Sequence, residues 1–314
     1  MNNPFPFSDD NKRYNTFNYF LRHTFGTKVF KVSLNAGFTC PNIDGTKGFG
    51  GCTYCSDSGS GDFAGNPKDN ILKQFYEVKN MMHHKWSDAK YIGYFQAHTN
   101  TYAPLERLKE VYEPILNEDN VVGLSIATRA DCISDDVLDY LEEINKRTFL
   151  MVELGLQSIN DETGKRINRC HTYKDFLNGY NRLKKRGIRV CVHVINGLPG
   201  ETKEDMINTV KTISQLDIFS IKIHLLHVIK GTVIEKQFLN GEFFELSLEE
   251  YVDIVCDQLE LLPKEVVVQR VTGDGNKETL VSPLWSLKKF VVMNEIDKEM
   301  VRRNSYQGIK YKKL

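Results

Sequence analysis

Short apolar runs rich in β-branched residues recur at 28–36, 90–97, 121–128, 149–156, 189–196 and 220–229, and segments with helical signals separate them. Each run has the length of a strand. Thr172 with Asp175, and Thr202 with Asp205, make capping-box pairs ahead of helical stretches, the first ending near Gly187. Ser134, followed by Asp135 and Asp136, opens another helix. Strands alternating with helices of this length imply parallel βαβ units and so an α/β fold. Six units suit a doubly wound sheet or a partly closed barrel, and periodicity does not separate the two. Further on, Ser247 and Glu250 cap one more helix, 266–273 reads as a strand and 285–303 as a helix. The expected organisation is a unit at 1–232 and a C-terminal α/β extension at 233–314 packing on it, with no repeat and no Pro/Gly-rich linker.

Three cysteines share one glycine-rich segment, Leu34 to Gly61. Cys52 and Cys55 are separated by two residues, a spacing that lets both sulfurs reach one metal centre, and Cys40 returns to it across an eleven-residue loop. Pro41, Gly45, Gly48, Gly50 and Gly51 suit that loop to tight turns. An odd total of seven cysteines, behind an N-terminus without an apolar leader, argues for reduced thiols and metal ligation rather than a disulfide framework. Cys132, Cys170, Cys191 and Cys256 are scattered singly and read as small buried hydrophobes. Ferredoxin clusters and closed zinc sites use four ligands, so three thiolates point to a cluster with one iron left open. The rival is zinc, completed by a histidine such as His83 or His84.

With 41 basic and 41 acidic residues the chain has no global attraction to nucleic acid. No stretch approaches the roughly 18 apolar residues that span a bilayer, so a cytoplasmic protein without a membrane partner is expected. Charge is nonetheless uneven: 235–265 holds nine acidic residues against two lysines, and 285–314 holds eight basic residues against three acidic ones. That basic tail, with Tyr306 and Tyr311, is compatible with RNA contacts, and composition alone describes equally a solvated helix with a basic end.

Other motifs fall at the ends of predicted strands, where β/α barrels place ligand sites. They are Gln96-Ala97-His98-Thr99-Asn100-Thr101, Ala127-Thr128-Arg129-Ala130-Asp131, Glu153-Leu154-Gly155-Leu156-Gln157-Ser158, Arg169 twelve positions after Gln157, and Gly197-Leu198-Pro199-Gly200-Glu201-Thr202. With the cysteines, these resemble the radical S-adenosylmethionine (SAM) superfamily over about residues 28–230, in the branch of the oxygen-independent coproporphyrinogen dehydrogenases and the Elongator catalytic subunit. The spacing C-x11-C-x2-C departs from the usual C-x3-C-x2-C. The resemblance implies a partial (β/α)6 barrel, a [4Fe-4S] cluster on Cys40, Cys52 and Cys55, and SAM on the open iron. It also implies Tyr54 beside the adenine, and SAM contacts from Gln96, Glu153, Gln157, Arg169 and Gly197. His193 stands where coproporphyrinogen dehydrogenases carry a ribose-binding aspartate, though a strand histidine reads equally as a core residue.

The tail resembles a narrower bacterial group linked to the maturation of C5-aminomethyl wobble uridines. That resemblance implies a tRNA substrate, conversion of 5-carboxymethylaminomethyluridine to 5-aminomethyluridine, and a reducing partner such as flavodoxin or ferredoxin. Arg129, or His224 with His227, are the candidates to hold the substrate carboxylate, and Arg129 with Asp131 reads equally as a structural ion pair. The alternatives are a porphyrinogen-like small-molecule substrate and a non-catalytic zinc-binding RNA-interaction protein. Residues 270–275 (RVTGDG) and 306–308 (YQG) have no evident task.

Overall fold

The computed structural model describes residues 3–56, 59, 64–83 and 86–313. Helix α1 (Phe17–Phe25) starts at Thr16, whose hydroxyl accepts from the Tyr19 N–H, and stops at Gly26 in the left-handed region. There follow β1 (Val29–Leu34), α2 (Ile71–His83), β2 (Lys90–Phe95), α3 (Leu105–Leu116), β3 (Val121–Thr128), α4 (Asp135–Arg147) and β4 (Phe149–Gln157). Next come α5 (Asp161–Arg166), α6 (Tyr173–Lys185), β5 (Arg189–Asn196), α7 (Lys203–Ile213) and β6 (Ser220–Leu225). The remainder carries β7 (Val228–Ile229), α8 (Val233–Leu239), α9 (Leu248–Leu261), β8 (Val267–Arg270), β9 (Leu280–Ser282) and α10 (Lys289–Arg302). The capping boxes at Thr172, Thr202 and Ser247 all form.

The main sheet has seven strands in the order β1-β2-β3-β4-β5-β6-β8, every pair parallel. Strand order follows chain order without the reversal that defines a doubly wound sheet, so the sheet curls as a half-barrel with β1 and β8 as its edges. The seventh strand extends the six expected: β8 comes from the region assigned to the extension, which thus completes the sheet as well as packing on it. Val267 and Val268 of this edge strand are buried, as in a parallel sheet covered on both faces. The run at 220–229 is not one strand. The Leu226 N–H donates to Asn196 O, the chain leaves the sheet, and β7 pairs antiparallel with β9 instead.

Helix α1 closes the N-terminal end of the barrel. Phe17, Phe20, Leu21 and Phe25 pack there on Val29, Ile92, Phe149, Met151 and Cys191. The tail beyond α10 folds back to that same end, where Gln307 accepts from the Asn15 N–H and donates to Pro263 O and Val266 O. Arg303 reaches Asp253 and Asp257 of α9 and Glu299 of α10, while Lys310 pairs with Glu260, so two cations of the basic tail are paired with the acidic face of α9. The C-terminal ends of the strands, with the loops that follow them, are left to build a site. Among the described residues no helix is long and apolar enough to cross a membrane.

Candidate active site

A cavity of about 300 Å3 lies at the C-terminal ends of the strands. Cys40, Cys52 and Cys55 all line it. The loop that carries them turns on Cys40 O, which accepts from the Ile43 and Asp44 N–H groups, and Gly50 and Gly51 take left-handed conformations before Cys52. The loop is tied down by the segment after α5: Asn168 donates to Phe49 O and Gly51 O, and the Thr53 N–H donates to Ile167 O. The first residues of α8 join from the other side, through the Ile234 N–H on Thr53 O at 2.9 Å. Gly48 is required where it stands, since a Cβ there would lie 2.8 Å from Cys170 Sγ. Hydrogen bonding with Cys55, helped by the charge of Arg129, outweighs burial and brings the Cys52 thiol down to about 7.

Tyr54 lines the same cavity and packs with Ile167, Leu226 and Ile234. Gln157, at the end of β4, lines it as well, with a positive φ and a buried Oε1 that has no hydrogen-bond partner among the described residues. Arg169 is there too, but its fork is already occupied. Nε donates to His171 O at 2.8 Å, Nη1 to Leu156 O and Ser158 O at 2.6 Å, and Nη2 to Asp161 at 3.1 Å. It braces the backbone on both sides of Gln157. Arg129 is occupied likewise, by both oxygens of Asp131 and by Arg169 O. The structural ion pair is the reading the geometry realises there. Gln96 and Gly197 do not contribute to the cavity wall; His98 and Thr99 stand in it near the former, and Ile195 near the latter.

Glu153 lines the floor and sits at the centre of a buried network inside the barrel. Its carboxylate is bonded by Lys31 from β1, Ser125 from β3, His193 from β5 and Lys222 from β6. Tyr94 lies between the two lysines, 3.6 Å from Lys31 Nζ and 4.4 Å from Lys222 Nζ at its ring centre. Burial alone would raise the acid, but the charges of Lys222 and Lys31 hold it well below the usual carboxylate range. Burial brings Lys31 down to about 7, against the pull of Glu153. Glu153, Cys191 and His193 have a metal-like spacing, yet the two ammonium groups already provide the counter-charge.

Burial, then the charge of Lys222, pushes His193 down to about 4. The ring is therefore neutral and donates through Nε2 to Glu153 at 2.7 Å, which leaves Nδ1 as an acceptor. Three further histidines share the wall: His171, His224 and His227. Desolvation is the main cause that lowers each, to about 3 for His171, about 4 for His227 and well below the ordinary value for His224. Their buried Nε2 atoms, and His171 Nδ1, have no partners among the described residues. His171, Asp274 and Asn276 were not singled out from sequence, although His171 follows Arg169 by two positions and Asp274 lies in the RVTGDG segment. As for zinc, α2 ends at His83, and His84 lies outside the described residues.

Three thiols on one cavity wall, facing unpartnered amide and imidazole atoms, fit a cluster with an open iron and a polar ligand beside it. The sequence profile described as the radical SAM superfamily matches residues 45–213, and that of the radical SAM C-terminal domain matches residues 218–302. The uncharacterized protein YtqA of Bacillus subtilis is 55% identical over 314 residues, 100% of this chain and 98% of its own. A tRNA uridine(34) acetyltransferase of Methanocaldococcus infernus is 30% identical over 156 residues, which is 49% of this chain and 29% of that protein. Among solved structures, the Elp3 protein of the same archaeon, with an N-terminal deletion, is similar with a TM-score of 0.68 at 21% identity, covering 90% of this chain and 64% of that one. At that identity the likeness is one of fold.

Proposed function

The chain belongs to the radical SAM superfamily, and on that premise we propose that it removes the carboxymethyl group from 5-carboxymethylaminomethyluridine at the wobble position of tRNA, giving 5-aminomethyluridine. The observation that carries the reading is a single cavity with the cluster cysteines on one side and neutral histidines on another. The partial match to enzymes named for uridine 34 of tRNA supports the choice of substrate.

Cys40, Cys52 and Cys55 would hold the [4Fe-4S] cluster, and SAM bound to it supplies a 5′-deoxyadenosyl radical on reduction, by a partner such as flavodoxin or ferredoxin. Tyr54 and the unpartnered Gln157 Oε1 provide an aromatic face and an acceptor beside the cysteines. His193 offers Nδ1 as a further acceptor, held in that tautomer by Glu153. On the substrate, the CH2 between the amine and the carboxylate would lose a hydrogen atom to the deoxyadenosyl radical, giving 5′-deoxyadenosine, and then a proton to solvent and an electron that would be taken up by the oxidised cluster or its redox partner. The resulting imine takes up water and separates into the 5-aminomethyl group and glyoxylate.

The test is turnover by the anaerobically reconstituted enzyme with SAM, a reductant and tRNA carrying 5-carboxymethylaminomethyluridine, followed by mass spectrometry of the nucleosides. Appearance of 5-aminomethyluridine with an equal amount of 5′-deoxyadenosine is the expected result. Deoxyadenosine with an unchanged tRNA refutes the substrate.

A further inference from the structure

The proposed substrate carries a carboxylate, and the two arginines closest to the cysteines do not present a free fork to bind it. Arg129 and Arg169 are saturated by Asp131, Asp161 and backbone carbonyls. A further cation acting on the histidine wall, from its other side, is Arg270, the last residue of β8 and the first of the unexplained RVTGDG segment. It pairs in register with Lys222 of β6, and its charge acts on both His224 and His227. Its side chain is one-third exposed, and among the described residues its only side-chain acceptor is Asp274, through Nη2 at 3.1 Å. Asp274 lines the cavity, so the guanidinium stands one contact behind the wall.

The segment after Arg270 is built to close on this corner. Lys289 at the start of α10 also bonds Asp274, at 2.6 Å, so two cations share one carboxylate and the group keeps a net positive charge. Tyr251 of α9 donates to Val271 O at 2.9 Å and fixes the turn. Gly273 and Gly275 then lie against His227: a Cβ would come within 3.1 Å of its Cε1 at the first and 3.6 Å at the second. The Nε2 atoms of His224 and His227 are buried in this same corner and have no partner among the described residues. A neutral imidazole donates one hydrogen bond, and an arginine with open N–H groups donates two in parallel, which together match the lone pairs of one carboxylate.

Resting on the reading that this cavity processes an N-alkylglycine group, we infer that Arg270, with His224 and His227, is the carboxylate-recognition corner of the active site. Asp274 and Lys289 are positioning residues that hold the guanidinium in place. The chemical class selected is an amino acid-like substituent, R–NH–CH2–COO−, over its decarboxylated or amidated analogues. The carboxylate of SAM itself is the other source of the same chemistry, and the test separates the two.

The test uses the reconstituted holoenzyme loaded with SAM and two probes, the nucleoside 5-carboxymethylaminomethyluridine and its carboxamide, with binding followed by calorimetry. The wild type is expected to prefer the carboxylate at least tenfold. In Arg270→Gln that preference is expected to vanish while cluster absorbance and SAM affinity stay unchanged, and Arg270→Lys is expected to restore part of it. An unchanged preference in Arg270→Gln overturns the inference, as does a wild type that does not discriminate. A loss of SAM affinity with the carboxylate preference intact overturns it too, and assigns Arg270 to SAM. If the wild type binds the carboxylate probe through Arg270 yet leaves modified tRNA unconverted, the corner stands and the tRNA reading alone is refuted.

Discussion

At the residue scale the account turns on charges taken out of water. Glu153 is fully buried and compensates two lysines, so removing its charge leaves uncompensated cations inside the barrel. Glu153→Gln is expected to cost about 3–5 kcal/mol of stability in chemical denaturation, and Glu153→Gln combined with Lys31→Met to recover part of it. Equal stability of Glu153→Gln and wild type contradicts the network. The histidine wall gives a second expectation. His171, His193, His224 and His227 all have folded-state values below the ordinary one. The unfolded chain therefore binds more protons below about pH 6.5, and stability is full above that pH and falls as pH drops toward 4. Each histidine adds a slope of about 1.4 kcal/mol per pH unit in that window. Replacing His227 by Asn removes one such increment from a pH series of denaturation midpoints, whereas an unaltered slope shows that His227 is not held neutral. Residue types were legible in the sequence here, but their partners were not. Arg169 was recognisable by its distance from Gln157, yet its occupation depends on where the carbonyls of Leu156, Ser158 and His171 point, and backbone direction after a strand end is not written in residue identity.

At the scale of elements, strands were the legible part. The runs at 121–128 and 189–196 coincide with β3 and β5, because continuous apolar runs flanked by capped helices leave little choice in a parallel sheet. The run at 220–229 misled because Leu225, Leu226, Val228 and Ile229 continue the apolar pattern while the backbone turns toward β9, a pairing of Val228 with Ser282 and Ile229 with Leu280 that local sequence does not encode. The YQG segment is explained at this scale. Gln307 clamps the N-terminal segment, the entry to β8 and the tail, and Gly308 fits where a Cβ would lie 3.0 Å from Leu262 O. Gln307→Ala leaves buried backbone groups without partners and is expected to lower stability by about 2–3 kcal/mol. Formation of 5′-deoxyadenosine per folded molecule should be retained, since the clamp is at the far end of the barrel; a selective loss of that activity contradicts the separation of the two ends.

At the scale of the whole molecule the half-barrel has two ends with different work. Aromatic packing of α1 and the tail clamp seal one end, and the cysteine loop, α8 and the turn after β8 build the site at the other. The charge asymmetry seen in the sequence is partly paired within the chain, where Arg303 meets Asp253 and Asp257 and Lys310 meets Glu260. Changing Lys312 and Lys313 together to Glu is expected to leave the affinity for tRNA within about twofold, and a tenfold loss places RNA on the tail after all. The most direct test of the central claim is the iron and sulfide content of the anaerobically reconstituted protein, measured with 5′-deoxyadenosine formation after SAM and dithionite are added, for wild type and Cys52→Ala. The account predicts one cluster of four irons per chain and deoxyadenosine from the wild type, with both lost in the variant. A colourless protein that retains zinc and forms no deoxyadenosine contradicts it.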